Sequence, residues 1–243
     1  MRVIVLGDRI TDQYRFCKST GICPEAPIAK ATIVEQRTNI GGAGLVTEQL
    51  KVLLGDKNVE GYYGSHSTKE RTFVDGHIQS PRIDKDSESI LAVGSYRNQI
   101  KHNIDKGVDA VIVGDYGKGA MSGTAEYLTE YCSKLTLPLF VDVKHDPKPY
   151  KGCYAIFPNE LEHNGLSPSD YQHIVRKLGP RGCSVDGTPV PTESQQVFDV
   201  TGAGDIFMAA FVYKWLCLDK SNNLQQTLME AARYANKVAG ISV

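Results

Sequence analysis

Residues 108–115 read Val-Asp-Ala-Val-Ile-Val-Gly-Asp, an apolar run that ends in a glycine and a carboxylate. Residues 1–6, 137–141 and 153–157 have the same form, and each is followed at once by Gly-Asp, Asp or Pro-Asn. A strand with one solvated face would alternate apolar and polar residues, so these continuous runs predict strands buried on both faces. Amphipathic segments predict helices over residues 44–54, 96–106, 123–135, 168–178, 205–216 and 224–243.

This alternation of strands and helices predicts the fold class. Strands that alternate with helices form a mostly parallel sheet that helices cover on both faces, which is a three-layer α/β/α domain. The length of 243 residues suits one such domain, so we expect residues 1–243 to form a single unit. Ligands of such sheets bind beyond the carboxyl ends of the strands, where the polar residues named above collect.

Two segments break this alternation. Residues 24–34 and 71–83 have an extended pattern with no helical period between strand candidates. They predict either a small β-rich lid that stands off the main sheet or ordinary surface loops. The sequence pattern leaves both interpretations open.

Composition and charge exclude several classes of function. The 27 basic and 28 acidic residues give a formal net charge of −1, whereas a sequence-independent nucleic-acid binder needs a basic excess. The apolar run at residues 3–6 is too short for a signal-peptide core or a membrane span, so we expect neither secretion nor membrane insertion. The six scattered cysteines and six histidines form no metal-binding cassette, and we expect reduced thiols in a cytoplasmic protein.

The segment Thr-Gly-Ala-Gly-Asp-Ile-Phe at residues 201–207 is the first candidate for chemistry. Small residues at a helix start turn free N–H groups toward one point, and with the helix dipole Gly202, Ala203 and Gly204 would form an anion hole. Asp205 would lie beside the bound anion as an ionised and therefore weak base, which phosphoryl transfer tolerates. The alternative is a helix capped by glycines with an aspartate in its first turn.

The segment Pro158-Asn159-Glu160-Leu161-Glu162 follows a predicted strand. Asn159 and Glu162 are three residues apart, so on a helical turn they share one face, and two oxygen ligands on one face suit Mg²⁺. The alternative is a helix N-cap with an acidic first turn, and this motif taken alone favours that alternative.

Polar residues and glycines at other strand ends predict a sugar site. Carboxylates there would bind sugar hydroxyls, and adjacent glycines would let a ligand approach the backbone. Taken singly, each of these residues is more often part of a loop. The turn at residues 178–182 would lie under a nucleotide or be a turn only. The predicted sugar-site residues are Asp8, Asp12, Gly41, Gly42, Asp115 and Lys118.

Taken together and in this order, the motifs resemble the PfkB, or ribokinase-like, family of carbohydrate kinases. The closest resemblance is to its heptose-7-phosphate kinase branch, which serves ADP-heptose synthesis. The last signature below and the Pro-Glu-Ala-Pro segment are the most specific, the latter for this branch. The matching segments are Gly7-Asp8, Asp12-Gln13-Tyr14, Pro24-Glu25-Ala26-Pro27, Gly41-Gly42-Ala43, residues 114–119, Asp142-Val143-Lys144, Asn159-x-x-Glu162, Gly179-x-x-Gly182 and residues 199–205.

The resemblance implies a ribokinase-like core with a small β lid, often used for dimerisation, and it implies ATP and Mg²⁺ as cofactors. By position, Asp205 matches the catalytic base of the family, and Gly202 to Gly204 match its anion hole. Asn159 and Glu162 match the motif that organises metal and phosphate. Asp8, Asp12, Gly41, Gly42 and Asp115 match sugar contacts. The implied cofactor-binding residues are Lys144, Asn159, Glu162, Gly179, Gly182 and Asn236.

The chain also departs from the family pattern. Leu45 stands where the family usually has an Asn that contacts the sugar, and Val143 replaces the proline of an Asp-Pro-Lys segment. The segment between Leu54 and Arg71 is much shorter than that of the family, so we expect at least one β–α unit to be missing, and the sequence stops at Val243, where relatives continue. Fold and reaction type do not depend on these positions, whereas substrate identity does.

We therefore expect an ATP-dependent kinase for a sugar or sugar phosphate, most like heptose 7-phosphate at its anomeric hydroxyl. A substrate that already carries a phosphate is predicted by Lys118 together with Arg71 and Arg82 on the expected lid. We expect a homodimer formed through the lid, with no nucleic-acid or membrane partner. The alternative, favoured by Leu45 and the deletion, is a catalytically weak homologue that binds nucleotide or sugar as a regulatory subunit.

Overall fold

The computed structural model describes residues 1–78, 81–86, 92–163, 166–192, 202–219 and 223–241. Residues 199–201 of the predicted signature and residues 79–80 of the second predicted lid segment lie outside these ranges. The strands are β1 (Val3–Ile22), β2 (Ala29–Gly42), β3 (Val59–Val74), β4 (His77–Ile78), β5 (Ile83–Lys85), β6 (Ala110–Asp115), β7 (Leu139–Val143), β8 (Ala155–Ile156), β9 (His173–Lys177), β10 (Cys183–Val185) and β11 (Thr188–Val190). The helices are α1 (Ala43–Leu54), α2 (Arg97–Asp105), α3 (Ala125–Lys134), α4 (Glu160–His163), α5 (Ala203–Cys217) and α6 (Leu224–Ile241).

The strands form one sheet in the order β11-β10-β9-β8-β7-β6-β1-β3-β4, with β2 paired to β1 and β5 paired to β3. Neighbouring strands from β3 through β9 run parallel, and β10 and β11 add an antiparallel edge. The carboxyl ends of β6, β7, β8 and β9 therefore meet along one edge of the sheet, where β1 also passes, as the sequence predicts.

Two hydrophobic clusters, one on each face of the sheet, make the three layers. Val3 and Val5 of β1 belong to the cluster that contains α1, α5 and α6, whereas Ile4 and Leu6 belong to the cluster that contains α2 and α3. Successive side chains of a strand point to opposite faces, so an unbroken apolar run such as Val3–Leu6 serves both clusters. The predicted three-layer α/β/α class is confirmed.

The first strand extends much farther than the apolar run at residues 1–6 predicts. It pairs with β6 only through Gly7, and from Arg9 onward it continues to Ile22 between β2 and β3. This outer part alternates buried residues such as Ile10 and Tyr14 with more exposed ones, so the cross-strand partners extend the strand where hydropathy alone ends it. We call residues 9–42, 66–78 and 81–85 the lid; the predicted segments 24–34 and 71–83 are only parts of it.

Residues 168–178 do not form the predicted helix. Residues 168–170 make one 3₁₀ turn that begins with Pro168, and β9 follows from His173 to Lys177. Two of the apolar residues of this segment, Ile174 and Val175, are buried in the sheet, where β9 pairs with β8 and β10. A short segment of this kind suits either period, and pairing with both neighbouring strands decides for the strand.

Each helix within the described residues is too short or too polar to cross a bilayer.

Candidate active site

The N-terminus of α5 lies at the edge where the parallel strands end. Gly202 precedes the helix with φ 80°, and a Cβ at this residue would come within 2.7 Å of Leu45 Cδ2. A Cβ on Gly204 would lie 3.4 Å from Lys177 Nζ. The positive φ favours a glycine at 202, and the small residues let an ammonium group approach the first turn of α5, whose N–H groups have no partner within the helix. This is the arrangement expected of an anion hole.

Asp205 is buried in the first turn of α5, with 4% of its surface exposed. Its Oδ2 accepts a hydrogen bond from the Gly42 N–H at 3.1 Å, and its Oδ1 accepts one from the Tyr116 hydroxyl. The structure thereby brings together Gly42, from the predicted sugar site, and the predicted base.

Burial raises the pKa of Asp205 above the ordinary range. The Tyr116 hydrogen bond opposes this rise, Asp142 adds to it, and Lys144 and Lys177 oppose it. The expectation that the helix dipole keeps Asp205 a weak base is wrong, because desolvation of the carboxylate outweighs the favourable contacts. A raised pKa makes Asp205 a stronger base than an exposed aspartate.

Two lysines share the buried carboxylate of Asp142 at the end of β7. Lys144 Nζ lies 2.7 Å from Asp142 Oδ1, and Lys177 Nζ lies 2.6 Å from Asp142 Oδ2. Burial alone would raise the pKa of Asp142, but the two ammonium groups lower it below its usual value. Glu162 Oε1 also lies 3.4 Å from Lys144 Nζ, so the two ammonium groups face two carboxylates. Lys177 Nζ is the cation nearest Gly204, where an ammonium group could bind a phosphate oxygen.

Asn159 and Glu162 form a reciprocal cap at the start of α4. Asn159 Oδ1 accepts the N–H groups of Leu161 and Glu162 at 2.9 and 3.0 Å. The Glu162 carboxylate accepts the Asn159 N–H at 2.8 Å and its Nδ2 at 2.6 Å, and Lys144 Nζ lies 3.4 Å away. This is the N-cap geometry of the alternative interpretation, with the carboxylate also facing the lysine cluster.

The oxygen atoms of Asn159 and Glu162 show what kind of metal site this part of the chain could form. Within the described ranges, no three His, Cys, Asp or Glu side chains lie close enough together to hold a metal. The oxygens of Asn159 and Glu162 already accept hydrogen bonds, so they do not form a protein cage for a cation. They fit a Mg²⁺ that arrives with nucleotide phosphates and its own waters, with Glu162 beside it.

Asp8 and Asp115 have other partners than a sugar. The fully buried carboxylate of Asp8 accepts the N–H groups of Tyr116, Lys118 and Ala120 at 2.7, 3.1 and 3.0 Å. Asp115 accepts the Tyr150 hydroxyl at 2.6 Å and the Gly117 N–H at 3.0 Å. Their carboxylates therefore hold the loop after β6. The binding of sugar hydroxyls by Asp8 and Asp115 stays a prediction.

Asp12 and Gly41 lie together on the lid side of Asp205. Asp12 Oδ1 receives a hydrogen bond from Arg71 Nη1 at 2.6 Å, and a Cβ on Gly41 would lie 2.7 Å from Asp12 Oδ2. The neighbouring Lys69 lies on the same lid face, because it is the register partner of Asp12 on β3. Its Nζ is 5.3 Å from the centre of the Tyr116 ring.

The cations predicted to bind a substrate phosphate are already paired. Lys118 Nζ lies 2.9 Å from Asp86 Oδ2, Arg82 Nε lies 2.7 Å from Asp84 Oδ1, and Arg71 is bound to Asp12. Lys69, which the sequence did not single out, makes no ion pair with any residue that the structure describes. Burial lowers the pKa of its ammonium group, with Asp12 acting in the opposite sense. Lys69 thus lies beside Tyr116, which binds Asp205, and makes no ion pair with a described residue.

The predicted nucleotide residues Gly179, Gly182 and Asn236 lie near the β10–β11 edge. Gly179 begins and Gly182 follows a 3₁₀ turn, with φ 59° and 84°. Asn236 Nδ2 donates to the Val190 carbonyl at 2.9 Å and would lie 3.0 Å from a Cβ on Gly182. Asn236 and Gly182 are therefore in contact, and the amide of Asn236 holds β11 against α6.

Sequence reasoning missed Tyr116, Lys177 and Lys69. Tyr116 lies inside the quoted 114–119 segment, so its position after β6 was a usable signal. The predicted helix over residues 168–178 gave no reason to place Lys177 at the site. In the structure this segment contains β9, and Lys177 lies at the carboxyl end of that strand. Lys69 has no local signal, because only the pairing of β1 with β3 brings it to the site.

Comparison with known proteins tests the resemblance that the motifs predict. Residues 156–243 match the model of the pfkB family carbohydrate kinases. The protein named "Bifunctional protein HldE" of a Nitratiruptor species is 26% identical over 291 residues, which cover 100% of this chain and 61% of that relative. The chain thus spans about three fifths of the length of the curated relatives it matches. These findings confirm the resemblance that the motifs predict, in a shortened chain.

Solved structures show the same fold. The ribokinase from Giardia lamblia superposes with a TM-score of 0.70 at 16% identity, covering 100% of this chain and 92% of that one. The Arabidopsis thaliana ribokinase complexed with ribose and ATP gives a TM-score of 0.61 at 16% identity, covering 97% of this chain and 91% of that one. The fold is therefore ribokinase-like.

Proposed function

We propose that this chain, a ribokinase-like protein whose residues 156–243 match the pfkB carbohydrate kinases, transfers the γ-phosphoryl group of ATP to a sugar hydroxyl. The observation that carries the proposal is the position of Asp205. It is a buried carboxylate at the glycine-rich start of α5, with the Asp142 lysine pair on one side and the lid on the other. Phosphoryl transfer to an alcohol needs a base that lies between the site for the phosphate groups and the site for the acceptor.

The residues divide the work as follows. Asp205 accepts the proton of the acceptor hydroxyl while that oxygen forms its bond to the γ-phosphorus and the bond to the departing ADP breaks. The N–H groups from Gly202 to Gly204 and the ammonium groups of Lys144 and Lys177 stabilise the negative charge of the transferring phosphoryl group. ATP and Mg²⁺, when bound, supply that group and neutralise part of its charge.

The acceptor is proposed to be a sugar phosphate, most like heptose 7-phosphate at its anomeric hydroxyl. Asp12, Gly41 and Gly42 would contact the sugar. Lys69 supports an anionic substituent, because it lies beside Tyr116 and next to Asp12 across the strand pair, without an ion pair to any described residue. This assignment moves the predicted phosphate contact from Lys118 to Lys69.

Two further properties belong to the same proposal. A homodimer would form through the lid, since its apolar side chains Ile22, Ile28 and Val34 are 76%, 61% and 65% exposed. All six cysteines are free, which suits a reducing compartment such as the cytoplasm.

The test is an ADP-release assay with Mg-ATP and a panel of sugars and their phosphates, including heptose 7-phosphate and fructose 6-phosphate. Acceptor-dependent ADP release that Asp205→Asn abolishes is the expected result. ATP or sugar binding in calorimetry without turnover of any acceptor would instead support the regulatory homologue.

Glu162→Gln should raise the Mg²⁺ concentration for half-maximal activity, and an unchanged Mg²⁺ titration would leave Glu162 as a helix cap only.

A further inference from the structure

We propose that Tyr116 is a positioning residue for Asp205: its hydroxyl holds the carboxylate in one rotamer and keeps it ionised until the acceptor arrives. This inference rests on the proposed role of Asp205 as the base. Three features of the described residues carry it: the anchoring of Tyr116, the contacts of Asp205, and the charges that surround the pair.

The backbone of Tyr116 is anchored independently of Asp205. Its N–H donates to Asp8 Oδ2 at 2.7 Å, and the same carboxylate holds the N–H groups of Lys118 and Ala120. Asp8 is fully buried in β1, next to the strand pair β1–β6. The central sheet therefore fixes the loop from which Tyr116 reaches Asp205.

The two hydrogen bonds of Asp205 leave room for a substrate. Gly42 N–H occupies Oδ2, and the Tyr116 hydroxyl occupies one lone pair of Oδ1. Each carboxylate oxygen can accept two hydrogen bonds, so an acceptor hydroxyl can bind Oδ1 alongside the tyrosine. The Tyr116 hydroxyl stays a donor, because burial and then Asp205 itself raise its pKa well above the usual value. Tyr116 thus orients the carboxylate without taking the proton that Asp205 must accept.

Charged groups from several strands surround Asp205 and Tyr116. Asp142 and Lys144 face it from β7, and Lys177 faces it from β9. Asp12 from β1 and Lys69 from β3 face the tyrosine, whose ring centre is 5.3 Å from Lys69 Nζ and 5.6 Å from Lys144 Nζ. Burial is the largest influence on Asp205 and favours its neutral form, and the hydrogen bond from Tyr116 is the largest that opposes burial. Loss of this one hydroxyl should therefore shift the protonation of the base.

The test uses Tyr116→Phe and a matched control, Tyr150→Phe. Tyr150 is also buried, and its hydroxyl binds Asp115 at the end of β6 rather than Asp205. The primary readout is the ¹³C NMR titration of the Asp205 carboxyl carbon, assigned by its loss in Asp205→Asn. This readout does not require kinase activity, so it separates failure of the inference from failure of the proposed function.

We expect Tyr116→Phe to move the Asp205 titration, and the acid limb of the kcat/KM profile, upward by about one pH unit. Tyr150→Phe should move neither. If Tyr116→Phe does not fold, 3-fluorotyrosine at position 116 keeps the shape and donates more strongly, so it should move the titration downward. An unmoved Asp205 titration in the folded variants, or an equal shift in Tyr150→Phe, would overturn the inference.

Discussion

Lys177 Nζ lies 2.6 Å from Asp142 Oδ2, which joins the last residue of β9 to β7 beside the first turn of α5. The contact is buried, and burial lowers the pKa of the Lys177 ammonium group while Asp142 works to raise it. A buried cation beside the first turn of a helix, whose N–H groups have no partner within that helix, would suit an anionic ligand.

Lys177→Met should therefore weaken nucleotide binding. The change keeps an unbranched side chain and removes the ammonium, so the KM for ATP should rise roughly tenfold to a hundredfold. Lys151→Met is the control, because Lys151 makes a surface ion pair with Asp170 at 2.9 Å. Steady-state kinetics with varied ATP provide the measurement, and equal KM values for the two variants would contradict the assignment.

Asp205→Asn should lower kcat by about 10²–10⁴-fold while the protein stays folded. The amide preserves both contacts, because its oxygen can accept the Gly42 N–H and its NH₂ can donate to the Tyr116 oxygen. Turnover at the wild-type rate would show that Asp205 is not the base.

The same variant should be more stable than the wild type at neutral pH. Burial raises the folded-state pKa of Asp205, so its contribution to stability is complete below the unfolded pKa and is lost as the pH rises through the folded pKa. Asn removes this loss, and the melting temperature should rise by roughly 2–4 °C for each kcal/mol relieved. Calorimetry should find a larger gain at pH 8 than at pH 5, and a gain independent of pH would contradict the raised pKa.

Asp8→Asn and Asp12→Asn should differ in kind. Asp8 satisfies three buried N–H groups, and the amide offers one oxygen and repels at least one donor, at a cost of about 1–3 kcal/mol. Asp8→Asn should have the lower melting temperature, whereas Asp12→Asn should have the higher KM for the acceptor. The reverse order in thermal melts and acceptor titrations would instead support Asp8 as a sugar contact.

Lys69→Met should discriminate against phosphorylated acceptors. Its kcat/KM should fall roughly tenfold to a hundredfold for heptose 7-phosphate and fructose 6-phosphate, and much less for heptose and fructose. Lys118→Met should leave the ratio within each pair unchanged, because Asp86 already pairs with Lys118. A uniform loss across all four sugars in Lys69→Met would argue against a phosphate contact there.

Val34→Glu should shift the protein toward the monomer, because a charge in an apolar lid face disfavours its burial between two copies. Val52→Glu on α1 is the control, since Val52 is 82% exposed and lies outside the lid. Sedimentation equilibrium at micromolar concentration measures the change, and a wild-type monomer would contradict the dimer.

Local patterns in the sequence predict most of the fold. Apolar runs such as residues 108–113 and 137–141 are long enough to predict buried parallel strands, and the amphipathic periods between them predict α1, α2 and α3. The glycines before Asp205 also predict the start of α5. Segments whose period is ambiguous fail, as residues 168–178 do, because pairing with β8 and β10 decides them.

By itself, the sequence determined the three-layer class, the order of most of its elements and the residues at the start of α5, because burial and helix starts depend on near neighbours in the chain. The tertiary structure alone decided what those residues contact. In the tertiary structure Asp8 and Asp115 accept hydrogen bonds from the loop after β6. Tyr116 contacts Asp205, and Lys177 contacts Asp142. Lys69 makes no ion pair with a described residue. Hydrogen bonding and desolvation depend on atoms that are distant in sequence, so no local pattern records them.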